Sequence, residues 1–278
     1  MTTAVAAPFR FFSLRVARTR RLGPSLVRVT FSGADLAHFH SHGRDQSLSL
    51  FLPAQGRTEP AVPVELGDGW WQGWRELPDD VRAVMRSYTL RALRRDPDEI
   101  DVDFVLHGVE PGAAVAAGPA SRWASRAAAG DPVILLGPAV ADNRAIRFRP
   151  PEDTDLLLIS GDATAVPAAT AVLESLPAGA RVRAWLEVPE AGDIQDVATA
   201  ADAEITWLTG GRSAVEAVRA ARLPSSAHPY AWIAGESGRV KELRRHLVGE
   251  RGIDRRRVTF VGYWRRGLTE EQLRVTEG

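Results

Sequence analysis

The second half of the chain alternates apolar strand patterns with amphipathic helix patterns, and this alternation constrains the fold most strongly. We predict strands at 156–160, 182–188, 205–208, 230–234 and 258–261, and helices at 165–175, 214–222 and 239–250. Apolar strands between amphipathic helices indicate a parallel sheet that is covered on both faces. Because such sheets bind ligands at the carboxyl ends of their strands, we expect a nucleotide-binding α/β domain.

The first half of the chain consists of short β-rich segments with little helix. Turn residues such as Gly23-Pro24 and Gly137-Pro138 separate about six strands, the fourth of them at 88–93, and one helix is predicted at 121–128. This pattern predicts an antiparallel six-stranded barrel. The double proline Pro150-Pro151 separates the two patterns. The predicted fold class is therefore β plus α/β, with a barrel domain at 1–150 and an α/β domain with a parallel sheet at 151–278.

Composition excludes several functional classes. The 278 residues include 35 basic and 35 acidic side chains, so overall charge gives no reason to expect a nucleic acid partner. Cysteine is absent from the sequence, which excludes thiolate metal sites and cysteine nucleophiles, and no metal site is predicted. Neither a signal-peptide pattern nor about 18 consecutive apolar residues occur, so we expect a cytoplasmic protein without membrane insertion.

Two segments of the first half suggest a site for a dinucleotide. In the strand Arg86-Ser87-Tyr88-Thr89-Leu90-Arg91, Arg86 and Tyr88 share one face. A guanidinium can grip a phosphate, and a tyrosine ring can lie against a flat heterocycle. A helix that opens at Gly118-Pro119 exposes N–H groups that favour a diphosphate, and Ser121 can cap this helix or bind. Each segment alone is more typical of a polar strand or a capped helix, but together they predict a diphosphate clamp beside an aromatic platform.

Six motifs in one order extend this hypothesis over nearly the whole chain. They are RSYTLR at 86–91, DFVLHG at 103–108, GPASRWA at 118–124, GDATAVPA at 161–168, AWIAGES at 231–237 and GYWRRG at 262–267. With these motifs the chain resembles the siderophore-interacting proteins, which are flavin-dependent ferric-siderophore reductases within the ferredoxin-NADP reductase superfamily.

The resemblance implies that the barrel holds FAD and that the second domain admits NADH or NADPH. Arg86 would contact the diphosphate, Tyr88 and Thr89 would lie beside the isoalloxazine, and the helix after Gly118 would complete the clamp. The residues predicted to bind cofactor are Arg86, Ser87, Tyr88, Thr89, Asp103, His107, Gly118, Ala120, Ser121, Trp123, Asp162, Thr164, Ala165, Glu236, Tyr263 and Trp264. No catalytic residue is assigned.

The electron donor stays open at this stage. The family usually shows a glutamate after Gly-Asp, where this chain has Ala163, so a reduced ferredoxin is an alternative donor. Glu187, at the end of a second-domain strand, would disfavour the 2′-phosphate of NADPH if it lies by the ribose, whereas Arg212 could favour it.

The resemblance also implies an anionic ferric siderophore as substrate, held by basic side chains. Candidates are Arg44, Arg122, Arg265 and Arg266. The alternating His38, His40 and His42 are interpreted as a polar loop rather than a metal site, and Trp70, Trp71 and Trp74 as a loop packed over the barrel.

We therefore predict a reductase that passes electrons from NAD(P)H through FAD to a ferric siderophore, which releases iron(II). One alternative is a flavin reductase of the same superfamily with a ferredoxin-like donor or another acceptor. Another is a ferric-chelate binding module without turnover.

Overall fold

The computed structural model describes residues 8–109, 112 and 116–268. Within these residues the chain divides into two compact units between Ile146 and Arg147, a few residues before the double proline. None of the helices in the described ranges has the length and apolar character needed to span a lipid bilayer.

In its described residues, the first unit is an antiparallel sheet with two short α-helices. Its elements are β1 (Phe9–Gly23), β2 (Leu26–Ser32), β3 (Ser47–Leu52), α1 (Trp70–Glu76), β4 (Val84–Thr89), β5 (Ala92–Arg94), β6 (Glu99–Val105), α2 (Pro119–Ala124) and β7 (Pro132–Pro138). The strand order is β4-β3-β7-β1-β2-β6-β5. The described part of the sheet thus has seven strands rather than the predicted six.

The additional strand arises because the predicted strand at 88–93 is broken. Leu90 donates its N–H to the carbonyl of Gln46, which precedes β3, whereas Arg91 donates to the carbonyl of Asp101 in β6. The chain therefore changes its hydrogen-bonding partner between these two residues. Since β4 and β5 are the two end strands of the order, this crossing joins the ends of a curled sheet.

The two faces of this sheet are buried in different ways. The interior is an apolar cluster that includes Phe12, Phe31 and Phe104. On the outer face Phe51 and Trp74 form a second cluster, against which Trp70 packs edge-on, with its ring centroid 5.7 Å from that of Phe51. The prediction that this tryptophan segment packs over the barrel is confirmed, but the segment forms helix α1 rather than the predicted loop.

The second unit is a five-stranded parallel sheet with helices on both faces. Its elements are β8 (Leu156–Gly161), α3 (Val166–Glu174), β9 (Arg181–Glu187), β10 (Asp202–Leu208), α4 (Ala214–Ala220), β11 (Pro229–Glu236), α5 (Ser237–Arg245) and β12 (Val258–Trp264). The order β10-β9-β8-β11-β12 reverses direction between β8 and β11. Helix α3 packs on one face of the sheet, and α4 and α5 pack on the other. The predicted fold class is confirmed.

Candidate functional site

The candidate cofactor strand β4 lies at the end of the first sheet and pairs with β3. Arg86 stands opposite Leu50 and Tyr88 opposite Leu48, so both project from one face of the sheet. Both are half-buried, while Ser87 on the other face is exposed and Thr89 is buried. The Arg86 Nη1 donates to its neighbouring carbonyl of Met85 at 2.7 Å. The alternation expected from the sequence is therefore present.

Aromatic contacts bring the candidate helix to this strand. The centroid of the Tyr88 ring lies 4.3 Å from that of Phe104 in β6, and the centroid of the Trp123 ring of α2 lies 5.7 Å from that of Phe104. Trp123 also stacks on Phe31 at 6.3 Å with an angle of 12° between the planes. Helix α2 packs against both β4 and β6. Strand β4 and helix α2, which the sequence predicts to form one site, thus share one aromatic cluster.

Ser121 neither caps its helix nor presents a free hydroxyl. The N-cap is Gly118, and Pro119 occupies the first helical position, where a missing N–H has no cost. The Ser121 Oγ accepts the N–H of His107 at 2.9 Å and donates to the carbonyl of His107 at 3.1 Å. The hydroxyl therefore holds the segment after β6 against α2, and a phosphate at this helix would meet main-chain N–H groups instead.

The prediction that Asp103 binds cofactor is wrong for its side chain. Its carboxylate is fully buried, and Arg28 holds it with two hydrogen bonds of 2.6 and 2.8 Å. The physical reason is strand alternation, because Phe104 faces the interior with Tyr88 and the side chain of Asp103 points to the opposite face. Asp103 is part of the packing of the sheet.

Asp103 ends a row of three acidic residues on the outer face of β6. Glu99 binds Arg18 at 2.5 and 2.7 Å, and Asp101 binds Arg94 at 2.6 and 2.8 Å. The hydrogen bonds from Arg18 lower the pKa of Glu99. Burial alone would raise the pKa of Asp101, but its hydrogen bonds, mainly with Arg94, outweigh burial and lower it. The carboxylates of Glu99 and Asp101 therefore stay ionised at neutral pH and stabilise the sheet.

In the second unit, Asp162 connects three strand ends at the carboxyl edge of the sheet. It follows β8, and its Oδ1 accepts the N–H and the hydroxyl of Thr164 at 3.0 and 2.5 Å. Its Oδ2 accepts the N–H of Glu236 at the end of β11 and the indole N–H of Trp264 at the end of β12, both at 2.8 Å. Four donors thus fix this carboxylate where the strand order reverses.

Two glycines make room for the hydrogen bonds around Asp162. The sequence analysis did not predict this role. Gly235 has φ 137°, and a Cβ there would lie 2.5 Å from the Oδ2 of Asp162. A Cβ on Gly262 would clash with the Oγ of Ser237, which donates to the Trp264 carbonyl at 3.0 Å. The sequence signal was available, since both glycines lie inside apolar strands, where glycine often marks a close approach.

Other predicted cofactor residues of the second unit have structural roles. Ala165 is fully buried in the core cluster beneath α3, so its side chain cannot meet a ligand from solvent. Glu236 caps α5 by accepting the N–H of Arg239 at 2.9 Å. Burial opposes ionisation of Glu236, but hydrogen bonds from backbone N–H groups prevail and lower its pKa. Tyr263 is half-buried against the core, and Trp264 is 36% exposed.

The candidate substrate arginines are distributed over both units. Arg44 is half-buried in a turn with φ 58°, and Arg122 is exposed and donates to the carbonyl of Ala117. Arg265 and Arg266 are exposed just after β12. His38, His40 and His42 form no metal-binding cluster, and no such group of three side chains occurs in the described residues.

Comparisons with known proteins agree with this architecture. The model of the siderophore-interacting FAD-binding domain matches residues 15–142, and the model of the siderophore-interacting protein matches residues 154–267. The ferric vibriobactin reductase ViuB of Vibrio cholerae is 30% identical over 260 residues, which cover 91% of this chain and 89% of ViuB. The NADPH-dependent ferric-chelate reductase of Escherichia coli is 31% identical over 263 residues, which cover 92% of this chain and 93% of that enzyme.

A solved structure extends this similarity to three dimensions. The siderophore-interacting protein SipS of Aeromonas hydrophila superimposes with a TM-score of 0.74 at 31% identity, covering 97% of this chain and 99% of SipS. Both family models, the relatives and this structure agree over most of the length. The chain belongs to the siderophore-interacting protein family.

Proposed function

We propose that this protein is an FAD-dependent reductase that passes electrons from NAD(P)H to iron(III) in a ferric siderophore. The observation that carries the proposal is the packing of β4 and α2 around one aromatic cluster in a chain of this family. The ring of Tyr88 and that of Trp123 both contact Phe104, which places the arginine strand beside the start of the helix.

The residues of the first unit fit FAD in chemistry and in placement. Arg86 would hold a phosphate by charge-assisted hydrogen bonds, and the half-buried Tyr88 would support the ring system. The main-chain N–H groups of Ala120 and Ser121 in the first turn of α2 would bind the second phosphate. FAD, when bound, exchanges two electrons with NAD(P)H and single electrons with iron.

The second unit supplies a site for the nicotinamide dinucleotide at its carboxyl edge. Asp162 and Glu236 flank the point where the strand order reverses, which is where open α/β sheets bind ligands. The indole of Trp264 is fixed there by Asp162 and offers a partly exposed aromatic face. In the proposal these side chains orient the coenzyme, and no proton transfer is assigned to them.

The substrate would be an anionic ferric chelate, held electrostatically by arginines, of which Arg44 is half-buried and the others are exposed. Arg44, Arg122, Arg265 and Arg266 are the candidates. Iron(II) is less highly charged than iron(III) and binds oxygen-rich chelators less tightly, so reduction releases it. A cytoplasmic reaction is part of the proposal, because the NAD(P)H pool that would supply the electrons is there.

The test is to purify the protein, reconstitute it with FAD and record its visible spectrum. Addition of NADPH or NADH should bleach the flavin bands, and ferric citrate or a ferric tris-catecholate should restore them while a chromogenic chelator traps iron(II). A protein that binds no FAD would refute the proposal. Bleaching by reduced ferredoxin but by neither nicotinamide would identify a protein donor, and chelate binding without any reduction would identify a binding module.

A pair of arginine variants sharpens this test. Arg86→Gln should weaken FAD binding by about tenfold or more, because it removes a charged phosphate contact. Arg20→Gln is the matched control, since Arg20 is exposed on β1 of the same sheet and lies outside the candidate site. Equal FAD affinity of the two variants would contradict the proposed role of Arg86.

A further inference from the structure

Glu187 is the acidic residue of the second unit whose position suits a contact with the ribose of a dinucleotide. It ends β9, the strand that follows β8 in the chain and neighbours it in the sheet. In nucleotide-binding α/β domains, an acidic residue at this place accepts the ribose 2′-hydroxyl of NADH, whereas arginine accommodates the 2′-phosphate of NADPH. The environment of Glu187 therefore bears on coenzyme choice.

The carboxylate of Glu187 is occupied by two partners within the unit. Its Oε1 accepts the N–H of Ala214, the first residue of α4, at 2.5 Å. Its Oε2 pairs with Arg239 of α5 at 2.6 Å. Only 14% of its side chain is exposed. Both oxygens are thus engaged, and little of the group faces solvent.

Burial has a further consequence for this carboxyl group. It raises the pKa of Glu187, and the nearby negative charge of Asp162 acts in the same direction, although Ala214 and Arg239 act against them. The positive charge of its partner Arg239 offsets the charge of the Glu187 carboxylate, so it repels a phosphate less than an unpaired carboxylate would.

Two arginines at this edge are more exposed than Glu187: its ion-pair partner Arg239, and Arg212, whose Nη2 donates to the carbonyl of Trp207 in the neighbouring strand β10 at 3.1 Å. The side chain of Arg239 is 43% exposed, and it follows β11, so the ion pair spans the width of β8 at the carboxyl edge. Arg212 is exposed in the loop between β10 and α4, two residues before the N–H that Glu187 binds. This loop is tied to the segment after β9 by the N–H of Gly210, which donates to Pro189 at 3.3 Å.

We infer that the second unit selects NADPH over NADH, with Arg212 and Arg239 binding the 2′-phosphate and Glu187 held back as the counter-ion of Arg239. The inference rests on the proposed function, whose coenzyme it specifies. Arg239 uses its Nη1 on Glu187, and its guanidinium, on a 43% exposed side chain, carries further N–H groups that a 2′-phosphate can reach while Glu187 keeps its counter-ion. Guanidinium groups suit this double role because they present several N–H donors to carboxylate and phosphate oxygens.

The test uses nucleotide fragments and needs no electron transfer. Binding of 2′,5′-ADP and 5′-AMP to the full chain is measured by calorimetry at low ionic strength. We expect 2′,5′-ADP to bind at least about tenfold more tightly, because the extra phosphate meets two cations. Salt should reduce this preference. Equal affinities, or no binding of either fragment, would overturn the inference.

Variants separate the named side chains from general charge effects. Arg212→Gln and Arg239→Gln should each lower the preference by roughly three- to tenfold. Glu187→Gln keeps an oxygen for Ala214 but releases Arg239, so 2′,5′-ADP should bind about threefold more tightly while 5′-AMP is unchanged. Arg256→Gln is the control, since it removes an equal charge from the segment before β12. A preference that persists in the Arg212→Gln/Arg239→Gln double variant would contradict the assignment.

The two proposals can fail independently. Selective binding of 2′,5′-ADP without reduction of any ferric chelate would refute the proposed function and leave this inference intact. Reduction driven equally well by NADH and NADPH would support the proposed function and refute the inferred preference for NADPH.

Discussion

Replacement of Gly235 by alanine tests whether Asp162 is the fixed point of the second unit. Gly235 has φ 137°, which alanine rarely adopts, and its new Cβ would lie 2.5 Å from the Oδ2 and 2.7 Å from the Cγ of Asp162. Because a real Cβ does not come this close to another atom, either the backbone of β11 or the carboxylate must shift. We expect the shift to break the bonds that Oδ2 accepts from Glu236 and Trp264.

The expected loss of stability follows from two contributions. The backbone conformation costs a non-glycine residue about 1–3 kcal/mol. Loss of a hydrogen bond to a charged group costs about 1.5–3 kcal/mol, and we assign this to the Glu236 N–H, because the partly exposed indole of Trp264 can bond to water instead. Gly235→Ala should therefore lower the free energy of unfolding of the second unit by about 2.5–6 kcal/mol.

The measurement is urea unfolding of the full chain, followed by far-ultraviolet circular dichroism. Since the chain has two compact units, two transitions are fitted where they separate. Gly179→Ala is the matched control, because Gly179 has φ 81° in the same unit but nothing lies within 4 Å of a Cβ there. It should cost only the backbone strain, about 1–2 kcal/mol.

The losses of stability of Gly235→Ala and Gly179→Ala are compared to test the role of Asp162. If Gly235→Ala loses no more stability than Gly179→Ala, the carboxylate of Asp162 moves without cost and its role as a fixed point is wrong. A double variant gives an independent check, because Gly235→Ala combined with Asp162→Ala removes the clash. The two substitutions should then be less damaging together than the sum of their separate effects.

Two further predictions concern the first unit. The pKa values of Glu99 and Asp101 are lowered in the folded state, so their contribution to stability is present above the ordinary carboxyl pKa of about 4 and is lost as the pH falls below it. The urea midpoint should decrease as the pH is lowered from 7 to 3, and Arg94→Met should make this decrease shallower. An unchanged slope of midpoint against pH in the variant would contradict the assignment. Ser121→Ala should lower the free energy of unfolding by about 1–2 kcal/mol, because it leaves the N–H of His107 without its acceptor, and should also weaken FAD binding. Thermal unfolding and flavin titration measure the two effects, and a variant with wild-type stability would contradict this role of the hydroxyl.

The fold was largely predictable because its signals are local. Alternating strands and helices after Pro151 gave the parallel sheet, and the described strand β8 (Leu156–Gly161) lies within one residue of its prediction. The strand predicted at 88–93 failed for a non-local reason. Only the partners of Leu90 and Arg91, at Gln46 and Asp101, show that the chain passes from one edge of the sheet to the other.

The candidate flavin site was predictable in its elements but not in the details of its hydrogen bonds. Arg86 and Tyr88 lie together as strand alternation required, and α2 packs beside them. The same alternation in β6 places the side chains of Asp103 and Phe104 on opposite faces of the sheet. The sequence therefore already indicated that the carboxylate of Asp103 points away from the aromatic cluster. The use of the Ser121 hydroxyl by His107 had no comparable signal, because the two residues belong to separate segments.

The coenzyme question shows why charge in a sequence does not by itself give specificity. Read along the chain, Glu187 is an acid at the end of a strand and predicts discrimination against a phosphate. In the fold, its partners come from 27 and 52 positions away, and they make the same acid a half-buried acceptor for the first N–H of α4 and the counter-ion of Arg239. In the inference above, the charge that meets a 2′-phosphate is therefore that of Arg239 and Arg212, opposite in sign to the residue at the strand end. Long-range pairing, rather than residue type, therefore determines the electrostatic character of the site.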